Sequence, residues 1–319
     1  MVFLQSIIRR CFLCGAKIKR TGALKAMTLL TYIINGISLG SVYAIIALGY
    51  TMVYGIAKML NFAHGDIIMV GAYISYFAAT SFGMPPAVCI LVSMAACTVL
   101  GIAIERFAYR PLRSANSLAV LITAIGVSYL LQNGAQLLWT SNPKIYTSLI
   151  DVPAVHLFGG ELTITGSALV TVISCLAVMA LLLFITQKTK IGKAMRAVSE
   201  DKEAAQLMGI NVNFTISVTF AIGSALAAVA GVLLCSSYPS LYPTLGSMTG
   251  IKAFTAAVFG GIGSIPGAFV GGILLGVIEK FAEGYISTQL SNAIVFSVLI
   301  IVLLVRPAGL FGKVRREKV

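Results

Sequence analysis

Long apolar runs separated by short polar segments dominate the chain. We predict nine membrane-spanning segments from these runs, at residues 29–55, 66–83, 86–106, 117–139, 165–187, 214–236, 248–262, 266–284 and 288–305. Several are shorter than the roughly 20 residues that a helix needs to cross the hydrocarbon core. Tilted, broken or partly inserted helices are therefore expected. The predicted fold is an all-α, polytopic membrane bundle with about eight or nine transmembrane helices.

Composition supports an integral membrane protein. The chain is 58% hydrophobic and 10% charged, whereas a soluble domain carries about 25% charged residues. The net charge of +13 comes from 23 basic and 10 acidic residues. These basic residues form short clusters between apolar spans, and not one continuous face, which argues against a nucleic-acid partner and for the lipid bilayer.

The basic clusters predict an orientation, because cytoplasmic loops collect Lys and Arg. We place Arg106, Arg110, Arg113 and the segment 188–202 in the cytoplasm, together with a basic tail at 307–319. The segment 140–164 then lies outside. With nine spans the N-terminus is outside as well. If residues 29–55 make two short passes instead, the N-terminus is inside.

Residues 1–27 form a basic extension ahead of a transmembrane domain at 28–306. The extension carries six basic residues and no acid, and its apolar stretch is too short to span. One hypothesis is an interfacial basic helix. The other is that the natural chain begins at Met27, so that the first 26 residues are an artefact of start-site assignment.

A polar island at 187–213, here named the coupling loop (188–213), interrupts the apolar spans. We predict a short helix in it, with Ser199 as N-cap, acids in the first turn and Gly209 as a left-handed C′ residue. The helical period groups the apolar residues on one face and the polar residues on the other. These are Ala204, Leu207 and Met208 on the apolar face, and Lys202, Glu203 and Gln206 on the polar face. A plain solvated basic loop is the alternative.

Two polar and glycine-rich breaks interrupt the spans. The first is Asn61, Phe62, Ala63, His64, Gly65, Asp66, and the second is Gly260, Gly261, Ile262, Gly263, Ser264, Ile265, Pro266, Gly267. Matched breaks in two halves are typical of transporters built from repeats, with the pathway near the breaks. The alternatives are an ordinary interfacial loop, with Asp66 as the N-cap of a helix from Ile67, and a plain turn at 263–267.

The sequence offers no catalytic, cofactor or metal site. It has no GxxxxGK[ST] phosphate loop and no HExxH, so the chain itself is not expected to hydrolyse ATP. Cys11 and Cys14 form a lone CxxC, which is too little for a zinc site. The four charges within or beside spans are expected at interfaces or facing protein: Lys252, Glu279, Lys280 and Glu283. Small residues such as Gly223, Gly272 and Gly276 predict close helix packing.

Several motifs carry a family resemblance. The coupling-loop sequence Glu203-Ala204-Ala205-Gln206-Leu207-Met208-Gly209 resembles the EAA-xxx-G signature of ABC-importer permeases, whose helix docks on the ATPase subunit. Residues 28–312 resemble the first permease of branched-chain amino-acid ABC importers, a family that usually starts near Met27. The longest motifs are GSVYAIIALGYTMVYG (40–55) with NFAHGD (61–66), KAFTAAVFGGIGSIPGA (252–268) and VRPAGLFG (305–312).

The resemblance implies a multi-pass protein of the bacterial inner membrane that imports Leu, Ile or Val. Its implied partners are a second, related permease in a heterodimer, two cytoplasmic ATPase subunits and an external substrate-binding protein. The implied coupling residues are Ser199, Glu203, Ala204, Ala205, Leu207, Met208 and Gly209, and both breaks are expected to line the pathway. Urea, short amides or other amino acids are alternative substrates. An ion-coupled secondary transporter is disfavoured, because most charges lie near span ends. An intramembrane enzyme is disfavoured, because the chain has no HExxH and only two histidines, His64 and His156.

Overall fold

The computed structural model describes residues 2–113, 115–157 and 162–312, with the backbone alone for residues 2–26. In chain order the helices are α1 (Val2–Ala57), α2 (His64–Thr80), α3 (Pro86–Ile104), α4 (Ser117–Trp139), α5 (Gly166–Lys188), α6 (Lys190–Glu200), α7 (Lys202–Leu207), α8 (Val212–Ser237), α9 (Leu245–Gly260), α10 (Ile265–Tyr285) and α11 (Ser291–Val305). A π-helical turn (Glu105–Tyr109) and a 3-10 turn (Arg110–Leu112) extend α3. The chain is thus mostly helical, as predicted.

Short strands occupy the connections. They are β1 (Lys144–Ile145), β2 (Val155–Leu157), β3 (Leu162–Ile164) and β4 (Ser240–Leu241). Two antiparallel pairs form, β1 with β4 and β2 with β3, and Lys144 lies opposite Leu241. The β1–β4 pair ties the connection after α4 to the connection after α8, so these two loops lie at the same end of the bundle.

Within the described residues, six helices are long and apolar enough to cross a membrane. They cover Met27–Ala57, Pro86–Leu112, Ser117–Trp139, Gly166–Lys188, Val212–Ser237 and Ile265–Tyr285. Each of the nine predicted spans does contain one helix. However, α2, α9 and α11 have 17, 16 and 15 residues, fewer than the roughly 20 of a full crossing. The chain is therefore a polytopic helical membrane protein in which α2, α9 and α11 are shorter than a full crossing.

Small residues bring the central helices into close contact. A Cβ added at Gly272 would overlap the backbone of Ala44, and one added at Gly276 would overlap that of Gly40, so α10 packs directly on α1. A Cβ added at Gly223 of α8 would lie 3.2 Å from the Val53 side chain. Such close approach is how helices associate in lipid, where hydrophobicity alone does not drive contact. The predicted packing role of these glycines is confirmed.

The bundle has two distinct ends. The basic end gathers the end of α1, the turns after α3, the α6–α7 segment and the α9–α10 connection: Lys202 Nζ donates to Ala57 O at 3.0 Å, and Arg113 bonds Asn213. The loop end holds the α2–α3 connection and the β1–β4 pair. Residues Arg306 to Gly312 pack back on α9, and the remaining tail, 313–319, lies outside the described residues.

Candidate functional site

The coupling loop folds into two helices, α6 and α7, and its cap differs from the prediction. The N-cap of α7 is Asp201, whose Oδ1 accepts from Glu203 N at 2.8 Å and from Ala204 N at 3.0 Å. Ser199 lies inside the last turn of α6, where its hydroxyl donates to Arg196 O at 2.7 Å. The Ser199 cap was therefore wrong: α6 continues to Glu200, and the aspartate, an equally good cap residue, takes the position.

The other end of α7 agrees with the prediction for Gly209. Gly209 has φ +82°, the left-handed region that favours glycine. Its N–H donates to Gln206 O, and Ile210 N–H donates to Ala205 O, both at 3.0 Å. This is the Schellman pattern, which satisfies the last carbonyls of a helix and turns the chain sharply. Gly209 thus directs the chain back toward α8.

The outward face of α7 is apolar. Leu207 and Met208 are 88% and 82% exposed, and Ala204 beside them is exposed as well. Ala205 is buried against the bundle, and Glu203 is exposed. The predicted apolar face therefore exists and lies uncovered in the described chain. Leu207 and Met208 are two large apolar side chains exposed next to each other at the basic end. Adjacent exposed apolar groups of this kind indicate an interaction surface.

Lys202 links α7 to the end of α1, a contact that the sequence did not indicate. The prediction placed it on the exposed polar face, whereas its Nζ donates to the Ala57 carbonyl at 3.0 Å. Ala57 is the last residue of α1, where carbonyls lack helical partners and favour a positive charge. Burial, followed by the positive charges of Arg113 and Lys58, lowers the pKa of Lys202.

A second polar network ties the turns after α3 to α8. Buried Glu105 forms an ion pair with Arg113, and its other oxygen accepts from Ser217 Oγ at 2.6 Å. Arg113 also donates to Asn213 Oδ1. Glu105 satisfies its buried charge through both partners, as a buried carboxylate must. In the sequence, the only sign of this network is that Glu105 stands beside the arginine cluster that begins at Arg106.

The first break begins where α1 ends and lies inside the bundle. Lys58 has φ +58°, and the chain then returns to start α2 at His64. Asn61 is buried, and its Oδ1 accepts from Tyr109 Oη at 2.9 Å. Asp66 is also buried, and its Oδ1 accepts from Gln132 Nε2 at 2.9 Å. The alternative of an interfacial loop with Asp66 as N-cap is wrong, because α2 starts earlier and this carboxylate bonds α4.

His64 and Gly65 occupy crowded positions at the start of α2. The His64 ring meets Tyr50 edge-on with centroids 4.7 Å apart, and among the described residues its buried Nε2 has no hydrogen-bond partner. A Cβ on Gly65 would overlap the backbone of Gly246. Glycine is therefore required there for α2 to cross α9 closely. The first break is a polar insertion between three helices, and all four predicted residues sit within it.

A small cavity lies between the two breaks. Both contribute to its walls, and so do helices α1 and α9: the lining includes Tyr50, Val53, Asn61, His64, Phe254 and Ile262. Its walls are apolar or aromatic, with one amide and one imidazole. Gly55 and Gly263 approach each other at the same end, since a Cβ on Gly55 would lie 3.4 Å from Gly263 Cα. The structure thus brings the first break together with Ile262 and Gly263 of the second.

The second break is a glycine turn covered by the C-terminal segment. Gly261 and Gly263 have φ +105° and +94°, and Ser264 Oγ caps α10 by accepting from Gly267 N at 3.2 Å. Gly260 packs on Gly267 so closely that a Cβ on either would overlap the other's backbone. Phe311 N–H donates to Gly260 O at 3.0 Å. These contacts match the alternative of a plain turn, with Ile262 facing the cavity.

The charges within spans pair inside the protein, as predicted. Lys252 and Glu279 are both buried and bond at 2.6 Å, and Lys280 bonds Glu283 at 2.7 Å. Pairing removes the penalty of isolated charges in hydrocarbon. Among residues 27–113, 115–157 and 162–312, no cluster of three or more His, Cys, Asp or Glu side chains could hold a metal ion.

Comparison with known proteins gives consistent matches. Residues 32–304 match the family described as branched-chain amino acid transport system / permease component. The chain is 45% identical over 304 residues to the high-affinity branched-chain amino acid transport system permease protein BraD of Pseudomonas aeruginosa, covering 91% of this chain and 98% of that protein. It is 43% identical over 297 residues to the corresponding LivH protein of Escherichia coli, covering 89% and 96%. A probable LivH of Methanocaldococcus jannaschii is 29% identical over 285 residues, covering 84% and 88%.

Proposed function

The chain belongs to the family of branched-chain amino acid transport permeases, and we propose that it forms the membrane pathway of an ATP-driven importer for Leu, Ile and Val. The observation that carries this proposal is identity of 43–45% to high-affinity branched-chain permeases over about nine-tenths of the chain. The protein is then a multi-pass inner-membrane subunit and not itself an enzyme. A second related permease, two ATPase subunits and an external binding protein complete the proposed complex.

The orientation proposed for this complex follows the basic residues. The basic end, with Arg106, Arg110, Arg113 and the coupling loop, faces the cytoplasm. The loop end, with the β1–β4 pair, faces the external binding protein. Under this orientation the six long helices and the shorter α2, α9 and α11 all contribute to the membrane region, with α2 and α9 starting inside it as broken helices. The N-terminus then lies outside, and the two breaks occupy corresponding places in two related halves.

Helix α7 is the proposed contact with the ATPase. Support comes from the uncovered apolar pair Leu207 and Met208 and from the exposed carboxylate of Glu203 on the same short helix. Docking would bury this pair, and burial of apolar area is the general driving force for such association. Ala204 adds no bulk, which lets a partner groove approach closely, and Gly209 lets the chain leave without obstructing it.

Lys202 provides a route from the ATPase to the first break. Its ammonium bonds the last carbonyl of α1, and residues 58–60 lead from there into the first break. A displacement of α7 would therefore pull directly on the segment that precedes Asn61, His64, Gly65 and Asp66. In this proposal the first break changes the access of the pathway, while the turn formed by Gly260, Gly261, Gly263, Ser264 and Gly267 is its counterpart on the other side of the cavity.

The cavity has room for about one water molecule, so it must widen before an amino acid can pass, but the chemistry of its walls suits a branched-chain amino acid. Such a substrate is a zwitterion with an apolar side chain, so it needs apolar walls and a few polar groups without a tight charged site. Tyr50, Phe254 and Ile262 supply the apolar walls, and Asn61 and His64 supply polar groups. A deep ion-coupling site is the mark of the rival secondary transporter. Here the deep charges Lys252 and Glu279 bond each other, which favours a structural role.

Reconstitution tests the proposal. The tagged chain is purified from the membranes of its own cells, and mass spectrometry identifies the proteins that come with it. We expect a second permease and an ATPase. The complex in proteoliposomes, supplied with binding protein and internal ATP, should accumulate labelled leucine, and unlabelled isoleucine and valine should compete. If urea or a short amide competes and isoleucine does not, the substrate is one of these alternatives and not a branched-chain amino acid. Uptake without ATP would contradict the importer.

A further inference from the structure

Helix α4 exposes polar side chains along part of one face. Tyr129 is 61% exposed, and Asn133 and Gln136 are exposed as well. Their spacing of four and three residues places them on the same side of the helix. Ile122, 60% exposed, and Gly126 extend this side toward the basic end. No described atom outside its own helix lies within 4 Å of a Cβ built on Gly126. We call this surface the α4 face.

Contacts with α2 fix the depth of the α4 face. Gln132 bonds Asp66, and the Trp139 ring stacks on Tyr73 with centroids 4.4 Å apart. Both contacts join residues that differ by 66 positions, so α4 and α2 run side by side in one direction. Asn133 therefore lies at the level of Ile67. Helix α2 continues beyond Tyr73 for seven more residues to Thr80, about 10 Å at 1.5 Å per residue.

Contacts between α2 and α3 place that level near mid-membrane. Cys97 Sγ donates to Ile67 O at 3.7 Å. Cys97 belongs to the long span Pro86–Leu112. It lies 11 residues from one end and 15 from the other, about 16 and 22 Å at 1.5 Å per residue. Asn133 thus presents an exposed amide close to the middle of the hydrocarbon region. Its Nδ2 donates to Tyr129 O at 2.8 Å within the helix, and the remaining amide oxygen would find no hydrogen-bond donor if it faced lipid, which is unfavourable.

The exposed face of α5 has the opposite character. Its exposed positions between residues 169 and 184 are all apolar: Leu169, Ile173, Leu176, Ala177, Ala180, Leu181 and Phe184. This composition suits direct contact with lipid chains. The two peripheral helices therefore differ: α4 exposes an amide, a phenol and a second amide among exposed leucines such as Leu130 and Leu137, whereas the exposed positions of α5 over this stretch are all apolar.

We propose that the α4 face lines the water-filled passage of the importer, between this chain and its partner permease, and contacts the amino acid in transit. The Asn133 amide and the Tyr129 hydroxyl would meet its charged carboxylate and ammonium groups. Ile122 and the open surface at Gly126 would accommodate its branched apolar side chain. Gln132, adjacent to Asn133, bonds Asp66 of the first break, so movement of that break reaches this wall directly. This assignment rests on the proposed function.

Thiol labelling tests the surroundings of the α4 face without knowledge of the substrate. In the assembled complex in vesicles, with native cysteines replaced, Asn133→Cys is compared with Leu176→Cys, a residue near the middle of α5 that is 48% exposed. A water-soluble, membrane-impermeant methanethiosulfonate should label position 133 much faster than position 176. Equal slow labelling means that lipid covers the face. Labelling of position 133 in the isolated subunit, with protection in the complex, means that a partner helix covers it. Either result overturns the proposal.

A steric test links the same face to transport. Gly126→Phe adds a ring to the α4 face, and Ala177→Phe adds the same ring to the exposed face of α5. We expect leucine uptake to fall at least tenfold for Gly126→Phe and to stay within twofold of wild type for Ala177→Phe, at equal amounts of assembled complex. Normal uptake by Gly126→Phe would overturn the proposal. If the wild-type complex takes up no leucine, the proposed function fails, and the labelling rates still test the wall.

Discussion

The break between α1 and α2 and the break between α9 and α10 interrupt apolar helices at the same end of the bundle, yet different atoms hold them. Side chains from other elements hold the first: Tyr109 bonds Asn61, Gln132 bonds Asp66, and Lys202 bonds the carbonyl before it. Backbone contacts hold the second, through positive φ at two glycines and the hydrogen bond from Phe311 to Gly260.

Glycine and polar residues that interrupt an apolar run can therefore serve two different purposes. A break held by side chains from several helices changes when any of those helices moves, so it suits a moving part. A break held by close backbone packing has almost no alternative arrangement, because packed interiors do not deform continuously. We therefore infer that the first break responds to α7 and that the second acts as a fixed support on the other side of the cavity.

The largest expected effect is a loss of stability at the second break, the inferred fixed support. Gly260→Leu places a side chain into the backbone of Gly267, and overpacking of this kind destabilises by about 3 kcal/mol. The matched variant is Gly263→Asn, at an open position with positive φ, where strain alone costs about 1 kcal/mol. Thermal unfolding in detergent and the amount of protein in the membrane measure both. Similar melting of the two variants would contradict a backbone-held support.

The next effect separates folding from passage at the first break. Asn61→Leu leaves the buried Tyr109 hydroxyl without its acceptor, which costs about 1–3 kcal/mol. Adding Tyr109→Phe replaces both partners by apolar groups and should recover most of that stability. Leucine uptake should remain low in the double variant, because the amide in the cavity is still missing. Full recovery of uptake along with stability would reduce Asn61 to a packing role.

The turn at Gly209 lies outside the bundle and, like the second break, depends on its backbone conformation. Gly209 has positive φ like Gly261, but no described atom lies within 4 Å of a Cβ built on it. Gly209→Val should therefore lower stability by only about 1–2 kcal/mol through strain and reduce uptake by misplacing the α7 surface. Gly209→Asn, which tolerates the left-handed region, should retain uptake. Equal uptake in both variants would remove the turn from the coupling proposal.

The smallest effect concerns the cap of α7. Asp201→Ala removes the acceptor of two backbone N–H groups and should lower stability by about 1 kcal/mol. Ser199→Ala removes a hydroxyl that bonds only within α6, and a change within about 0.5 kcal/mol is expected. Unfolding in denaturant compares the two. The reverse order would restore Ser199 as the functional cap.

The apolar pattern was sufficient to predict the helices, because nine long runs leave little choice of element in lipid. It also located both breaks, since glycine and polar residues rarely interrupt such runs without reason. It could not show which side chains meet across the bundle. Asn61 and Tyr109 are 48 residues apart, and Gln132 and Asp66 are 66 apart, so only the tertiary arrangement joins them.

Local competition explains the errors within the coupling loop. Ser199 and Asp201 are both good caps two residues apart, and a period-based prediction cannot choose between them. Lys202 fits the polar face by its type, yet its long side chain reaches an uncapped helix end that no local pattern indicates. The α4 face escaped notice for a related reason. Tyr129, Asn133 and Gln136 are scattered singly through an apolar run, and their exposure became visible only from the packing of α2 against α4.

The most direct test of this account measures how many leucine molecules the Lys202→Met complex imports for each ATP that it hydrolyses. The substitution keeps the length of the side chain and removes the ammonium that holds Ala57. Lys193→Met, at an exposed lysine of α6, is the control. We expect ATP hydrolysis near the wild-type rate in both, with leucine imported per ATP at least tenfold lower for Lys202→Met and unchanged for Lys193→Met. A wild-type ratio for Lys202→Met would contradict the route from α7 to the first break.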